Sequence, residues 1–306
     1  MLWQVPVCAL IAVLPATVAV TVIYRAGKQP PRVFDLWAPS WRIINPYWLL
    51  GYRGLVFLVM SWLLTQIVLI DGAFAFYFYT QWTFTLVIIY FVIGTIISAH
   101  GCWTYSRTHI TESEAANGFL KSELVNSDAP TMTVRGNTDR EGTRLPNRFE
   151  GKLHEKRAGF WGYVMQIIYQ ISAGAVILTD VVFWLLLVPT MSEHLRLDFV
   201  MICMHSLNAV FLLIDTAVNR LPFPWFGMAY FVLWSCSYLT FQWVLHACGL
   251  NWWPYPFMEL STPWAPLWYL AIALVHIPCY GIYYLTAKVK NSFFSKLFPN
   301  LYIQSY

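Results

Sequence analysis

Charge is what this 306-residue chain has least of. Only 11% of its residues are Asp, Glu, Lys or Arg, against about 25% in an average soluble domain. That scarcity argues against a disordered chain, a coiled coil or an ordinary water-soluble enzyme, all of which need charged surface. Paired cysteines are missing as well. Cys8, Cys102, Cys203, Cys236, Cys248 and Cys279 contain no CxxC spacing, so neither a zinc site nor a dense disulfide scaffold is expected. There is no Asn-x-Ser/Thr sequon and no solenoid repeat. What is abundant is apolar: 58% hydrophobic and 18% aromatic, with 16 Trp, 18 Tyr and 21 Phe, and a mean hydropathy of +0.53. Such a chain belongs in a bilayer. It is expected to fold as an all-α polytopic helix bundle, because a helix satisfies its own backbone polar groups in hydrocarbon.

A spanning helix needs roughly 20 mostly apolar residues. Segments 2–24, 55–76, 79–99, 161–188, 199–219, 226–248 and 265–286 qualify, giving seven predicted spans. The chain then divides into an N-terminal span and loop (1–52), spans two and three (53–101), a polar loop (102–158), spans four to seven (159–288) and a tail (289–306). Segment 102–157 holds nine basic and eight acidic residues, half of all the charges. Its polar, nearly charge-balanced composition predicts a flexible loop. With seven spans, 18 of the 19 basic residues fall on one face and only Arg196 on the other. The positive-inside rule makes the crowded face cytosolic. The N-terminus is then outside or lumenal and the C-terminus cytosolic, in an endomembrane or the plasma membrane. Cleavage of the first segment as a signal peptide would leave the new terminus on the wrong face, so it reads as a retained span.

Ionisable groups inside spans are costly and usually functional. Asp71, Thr80, Asp180, His205 and His246 come from five different predicted helices and converge on the outer leaflet. His276 lies near mid-depth, and Asp215 and His100 lie on the cytosolic side. A histidine in a water-poor site can act as general base to a hydroxyl, and Thr80 offers one at the depth of His205. Asn208 stands one helical turn after His205, where it can donate to an oxyanion or orient the ring. The alternative is structural: Thr80 as a helix N-cap, and His205 as a bundle histidine bonded to a carbonyl. The 249–264 loop, GLNWWPYPFMELSTPW, carries Trp252, Trp253, Tyr255 and Phe257. It reads either as an interfacial aromatic belt or as a lid over the outer-leaflet site.

The stretch WAPSWRIINPYWLLGY followed by Arg53, and the span-three opening YFYTQWTFTLVIIYF, resemble the rolling stone-like membrane proteins. The region MHSLNAVFLLID, with the later WVLHACGLNWWPYPFMEL, resembles the androgen-induced and androgen-dependent membrane protein family. The matching positions there are Met204, His205, Asp215, Tyr255, Pro256, Phe257 and Glu259. The likeness covers about residues 50–288 and leaves out the first span and the long polar loop. It implies an intramembrane threonine hydrolase of lipid esters such as fatty acid esters of hydroxy fatty acids, acting without a cofactor or metal. In that implication His205 is the base and Thr80 the nucleophile, with Thr83 and Thr85 as alternatives. Asn208, His246 and Asp180 are supporting groups, and the substrate is a lipid arriving from the membrane. The rolling stone-like branch implies instead a non-enzymatic protein of adhesion, fusion or signalling, with a cytosolic partner on loop 102–157. A third reading is a transport bundle, or a haem-binding one with His205 and His246 as axial ligands. No nucleic-acid partner is expected.

Overall fold

In the computed structural model, residues 3–125, 156–191 and 199–304 are described. They are mostly helical, with two isolated bridges, Arg32 with Arg157 and Trp41 with Tyr302, and no strand among them. The helices are α1 (Gln4–Ala26), α2 (Val33–Trp37), α3 (Pro46–Asp71), α4 (Tyr79–Val125), α5 (Phe160–Val182), α6 (Val188–Met191), α7 (Phe199–Met204), α8 (Leu207–Val218), α9 (Met228–Ala247) and α10 (Ala265–Leu297). Among the described residues six helical stretches are long and apolar enough to cross a membrane: Gln4–Ala26, Pro46–Tyr77, Tyr79–Arg107, Phe160–Thr190, Phe199–Val218 and Ala265–Leu297. The chain is that of a multi-pass integral membrane protein. Leu10, Leu14, Leu58, Trp62, Leu185 and Leu274 all stand exposed on the outside of the bundle, which is favourable facing lipid and unfavourable facing water.

The seventh predicted span, 226–248, is observed as α9. Tyr230 near its start meets Tyr163 near the start of α5, hydroxyl to hydroxyl at 2.8 Å. Further along, Tyr238 and Gln242 both donate to the Tyr77 carbonyl at 2.7 Å. It therefore runs beside α5 toward the end of the bundle where α4 begins. Ser235, Ser237, Thr240 and Gln242 dilute its apolar character, and it falls outside the six. Gly174 makes the α5–α9 approach possible: a Cβ there would sit 2.6 Å from the Phe231 ring.

Several predicted boundaries move. Span three does not stop at residue 99. The helix runs on to Val125, so the first part of the segment predicted as a flexible loop is helical. The rest, 126–155, lies outside the described residues, as does Arg196. Span seven extends to Leu297 rather than 286. Span four holds a π turn, Phe183–Leu187, before α6. Span five is not continuous: His205 and Ser206 interrupt it between α7 and α8. Span two ends at Asp71 and a 3₁₀ turn, Gly72–Tyr77, carries the chain on to α4.

The other end of the bundle is tied by buried charge. Arg53 on α3 is wholly buried and pairs with Asp215 on α8 at 2.8 Å. It also donates to the Leu36 carbonyl and to Ser98, each at 2.8 Å. Asp215 further accepts from Tyr90 at 2.5 Å and Asn219 at 2.7 Å. Lys290 of α10 donates to the carbonyls of Thr216 at 2.8 Å and Asn219 at 3.0 Å. Arg53 and Lys290, counted from sequence among the loop and tail charges, are thus bundle residues at that face.

Candidate functional site

The Tyr90–Asp215 bond sets the register of α4 against α8. Thr80 lies ten residues before Tyr90, and His205 ten residues before Asp215. At 1.5 Å rise per residue each is roughly 15 Å up its own helix, so two parallel helices fixed at one level bring Thr80 and His205 to a second level together. There both residues line a single cavity of about 1060 Å³, counted out to its open side. Both are buried, Thr80 at 7% and His205 at 6% exposure.

His205 sits at the break between α7 and α8, and the break faces the π turn of span four. The Phe183 ring, first residue of that turn, lies flat on the imidazole with centroids 3.6 Å apart and planes 2° apart. Trp184 Nε1 donates to the His205 carbonyl at 3.1 Å, taking up a backbone acceptor at the interrupted turn. π turns recur at functional sites, and irregular backbone at membrane depth is tolerated where it lines a cavity. The ring's Nδ1 is buried without a hydrogen-bond partner.

Thr80 belongs to the first turn of α4, where the 249–264 loop folds over it. Tyr255 accepts the Tyr79 backbone N–H at 3.1 Å, and its hydroxyl also interacts with the Thr80 side chain. Burial pushes the Tyr255 hydroxyl up to about 12, so it keeps its proton as a donor beside Thr80. Tyr79 pairs with Ser235 of α9 at 2.8 Å. Among the described residues no hydrogen bond joins Thr80 to His205. Nucleophile and base contacts in ligand-free sites are commonly looser than in the reacting complex.

The predicted constellation is only partly assembled. Tyr255 and Phe257 wall the cavity, stacked at 5.0 Å and 7°. Trp252 and Trp253 do not line it. Trp252 packs on Phe74 at 5.2 Å and on Phe78 at 5.8 Å, and Trp253 stacks on His246 at 4.3 Å. His246 therefore stands in the loop-facing aromatic layer and not with His205 in the cavity, so the axial pairing a haem would need is not formed. Asn208 lies wholly buried outside the cavity. Its Oδ1 accepts the neighbouring Ala209 N–H at 2.8 Å, and its Nδ2 has no partner. Asp180 is half-buried with Oδ1 unpartnered, also outside the cavity. Asp71 is exposed at the end of α3. Thr83 is buried and Thr85 half-buried, and neither residue lines the cavity, which favours Thr80 among the three threonines.

Sequence reasoning missed two contributors. His276 of α10 lines the cavity, but a mid-depth histidine carried no signal of its neighbours. Helix α1, outside the family likeness, supplies Ile11, Ala12 and Pro15 to the wall. It packs against both α9 and α10, which hardly touch each other. Among the described residues no Asp, Glu, Lys or Arg lines the cavity, and no cluster of His, Cys, Asp and Glu is suited to a metal. No protein-family model, curated protein or solved structure matches the chain.

Proposed function

We propose that the protein is an intramembrane lipid-ester hydrolase with Thr80 as nucleophile and His205 as general base. The observation that carries this reading is the meeting of a buried threonine and a buried histidine, from different spans, in one cavity with largely apolar walls. His205 takes the Thr80 hydroxyl proton as Oγ1 attacks the ester carbonyl, and the Tyr255 hydroxyl, which interacts with the Thr80 side chain, is a donor for the oxyanion. The imidazolium returns its proton to the leaving alcohol, leaving an acyl-threonine. Water activated by the same histidine then releases the acid and restores Thr80. The resemblance to the androgen-induced family supports fatty acid esters of hydroxy fatty acids, or similar long-chain esters, as substrates reaching the cavity from lipid. The 18-to-1 division of basic residues supports a cytosolic C-terminus and a site in the outer or lumenal leaflet.

A fluorophosphonate probe tests the reading. It is expected to label the wild-type protein covalently, and to lose labelling in Thr80→Ala and in His205→Ala. Thr83→Ala and Thr85→Ala are expected to retain it. Labelling that survives both of the first two substitutions rules the mechanism out, and loss confined to Thr83→Ala moves the nucleophile there.

A further inference from the structure

Two groups lining the cavity carry a buried polar atom with no partner, His205 Nδ1 and His276 Nε2. The proposed hydrolysis uses the first residue and leaves the second idle. The tautomer of His276 follows from its contacts. Its Nδ1 lies 2.8 Å from the carbonyl oxygen of Ile272, one turn earlier in α10. A carbonyl only accepts, so Nδ1 carries a hydrogen. Among the described residues no carboxylate lines the cavity to pair with an imidazolium, so the ring is taken as neutral, with a lone pair on Nε2. The Phe231 ring flanks the imidazole at 4.7 Å and holds its plane. Nε2, on the opposite side of the ring from the helix contact, is a buried acceptor without a partner on a residue that lines the cavity, and such an atom carries a penalty until it is bonded.

The ligand must answer three features together: a fixed acceptor, the absence of any cationic residue among the described residues of the wall, and an apolar lining that includes Leu178, Val182, Val232 and Leu239. An ionised carboxylate or phosphate at this depth would meet a lone pair and no counter-charge. We propose that the cavity binds a neutral long-chain lipid carrying a free hydroxyl group, and that this hydroxyl donates to His276 Nε2. The inference narrows the ligand class of the same cavity: among the long-chain esters proposed as substrates it selects neutral ones that carry a free hydroxyl over the carboxylate-bearing esters of hydroxy fatty acids. It rests on lipid occupying that cavity, and it does not require Thr80 to react.

The test uses the full-length protein in lipid nanodiscs with three photoreactive hexadecyl probes that differ only at the end group: primary alcohol, methyl ether and carboxylic acid. The alcohol is expected to label the cavity wall about tenfold more than the ether, the ratio of one net hydrogen bond. His276→Phe is expected to abolish that preference while ether labelling persists, and His276→Gln, whose amide oxygen accepts near the Nε2 position, to restore much of it. Equal labelling of the wild type by alcohol and ether overturns the proposal. So does a preference that survives His276→Phe, or strongest labelling by the acid. The fluorophosphonate assay, run in parallel on the wild type, separates the two ideas. Lost alcohol preference with intact Thr80 labelling sinks this inference alone, and the reverse result sinks the hydrolase alone.

Discussion

Arg53 and Asp215 are each wholly buried, and their 2.8 Å contact sits among hydrogen bonds from Tyr90 and Asn219 to Asp215 and from Arg53 to Ser98 and the Leu36 carbonyl. A buried pair is a weak source of net stability, but removing one partner strands the other charge. Arg53→Met or Asp215→Leu alone is therefore expected to cost roughly 3–5 kcal/mol, and the double variant markedly less than the sum of the two. Thermal unfolding of the detergent-solubilised protein measures this, and additive losses would refute the coupling. Because Tyr90 joins Asp215 and thereby levels Thr80 with His205, Tyr90→Phe is expected to lower fluorophosphonate labelling as well as stability. These residues also mark how far the sequence could be read. Asp215 stood out as an intramembrane charge, and the depth of His205 and Thr80 followed from span boundaries and orientation. The partnership of Arg53 and Asp215, 162 positions apart, was not legible, since periodicity reports which face of one helix is apolar and not which neighbour meets it. That Asn208 and His246 lie outside the cavity wall was not legible for the same reason.

Hydropathy found the elements, because each long apolar run had to become a helix, but it could not find the irregularities inside them. The π turn at Phe183–Leu187 and the interruption at His205–Ser206 leave total hydropathy unchanged, so spans four and five read as unbroken. They arise where the Phe183 ring and the His205 imidazole stack and Trp184 takes up the His205 carbonyl. Helix α1 was legible as a span but not as part of the site. With little direct contact between α9 and α10, α1 fills the groove between them and supplies Ile11, Ala12 and Pro15 to the cavity. Most of its large side chains face outward, so it closes the cavity laterally with a small buried surface. Ala12→Trp, which projects a large ring into that wall, is expected to reduce photolabelling by the hexadecyl alcohol several-fold while the unfolding temperature changes little. Unchanged labelling would show that α1 stands clear of the occupied volume.

At the scale of the molecule, the bundle has two unlike ends. The 249–264 loop and the turn before α4 meet at one, through Tyr255 on Tyr79 and Trp252 on Phe74. At the other, Arg32 bridges to Arg157, Arg42 N–H bonds to the Leu301 carbonyl, Arg220 donates to Pro39, and Arg53 and Lys290 are locked beside Asp215 and Asn219. Gathering cations at one end is what the positive-inside rule requires of a cytosolic face, and it depends on α9 crossing the bilayer despite its polar residues. Cys248, exposed just after α9, reports on both points. In sealed vesicles with the cytosolic face outward, a membrane-impermeant maleimide is expected to reach a cysteine introduced as Gln304→Cys at once, and Cys248 only after permeabilisation. Labelling of both without permeabilisation would mean that α9 does not cross and would remove the seventh span. The reversed pattern would turn the whole bundle over and place Thr80 and His205 in the cytosolic leaflet, where their lipid would have to come from the other monolayer.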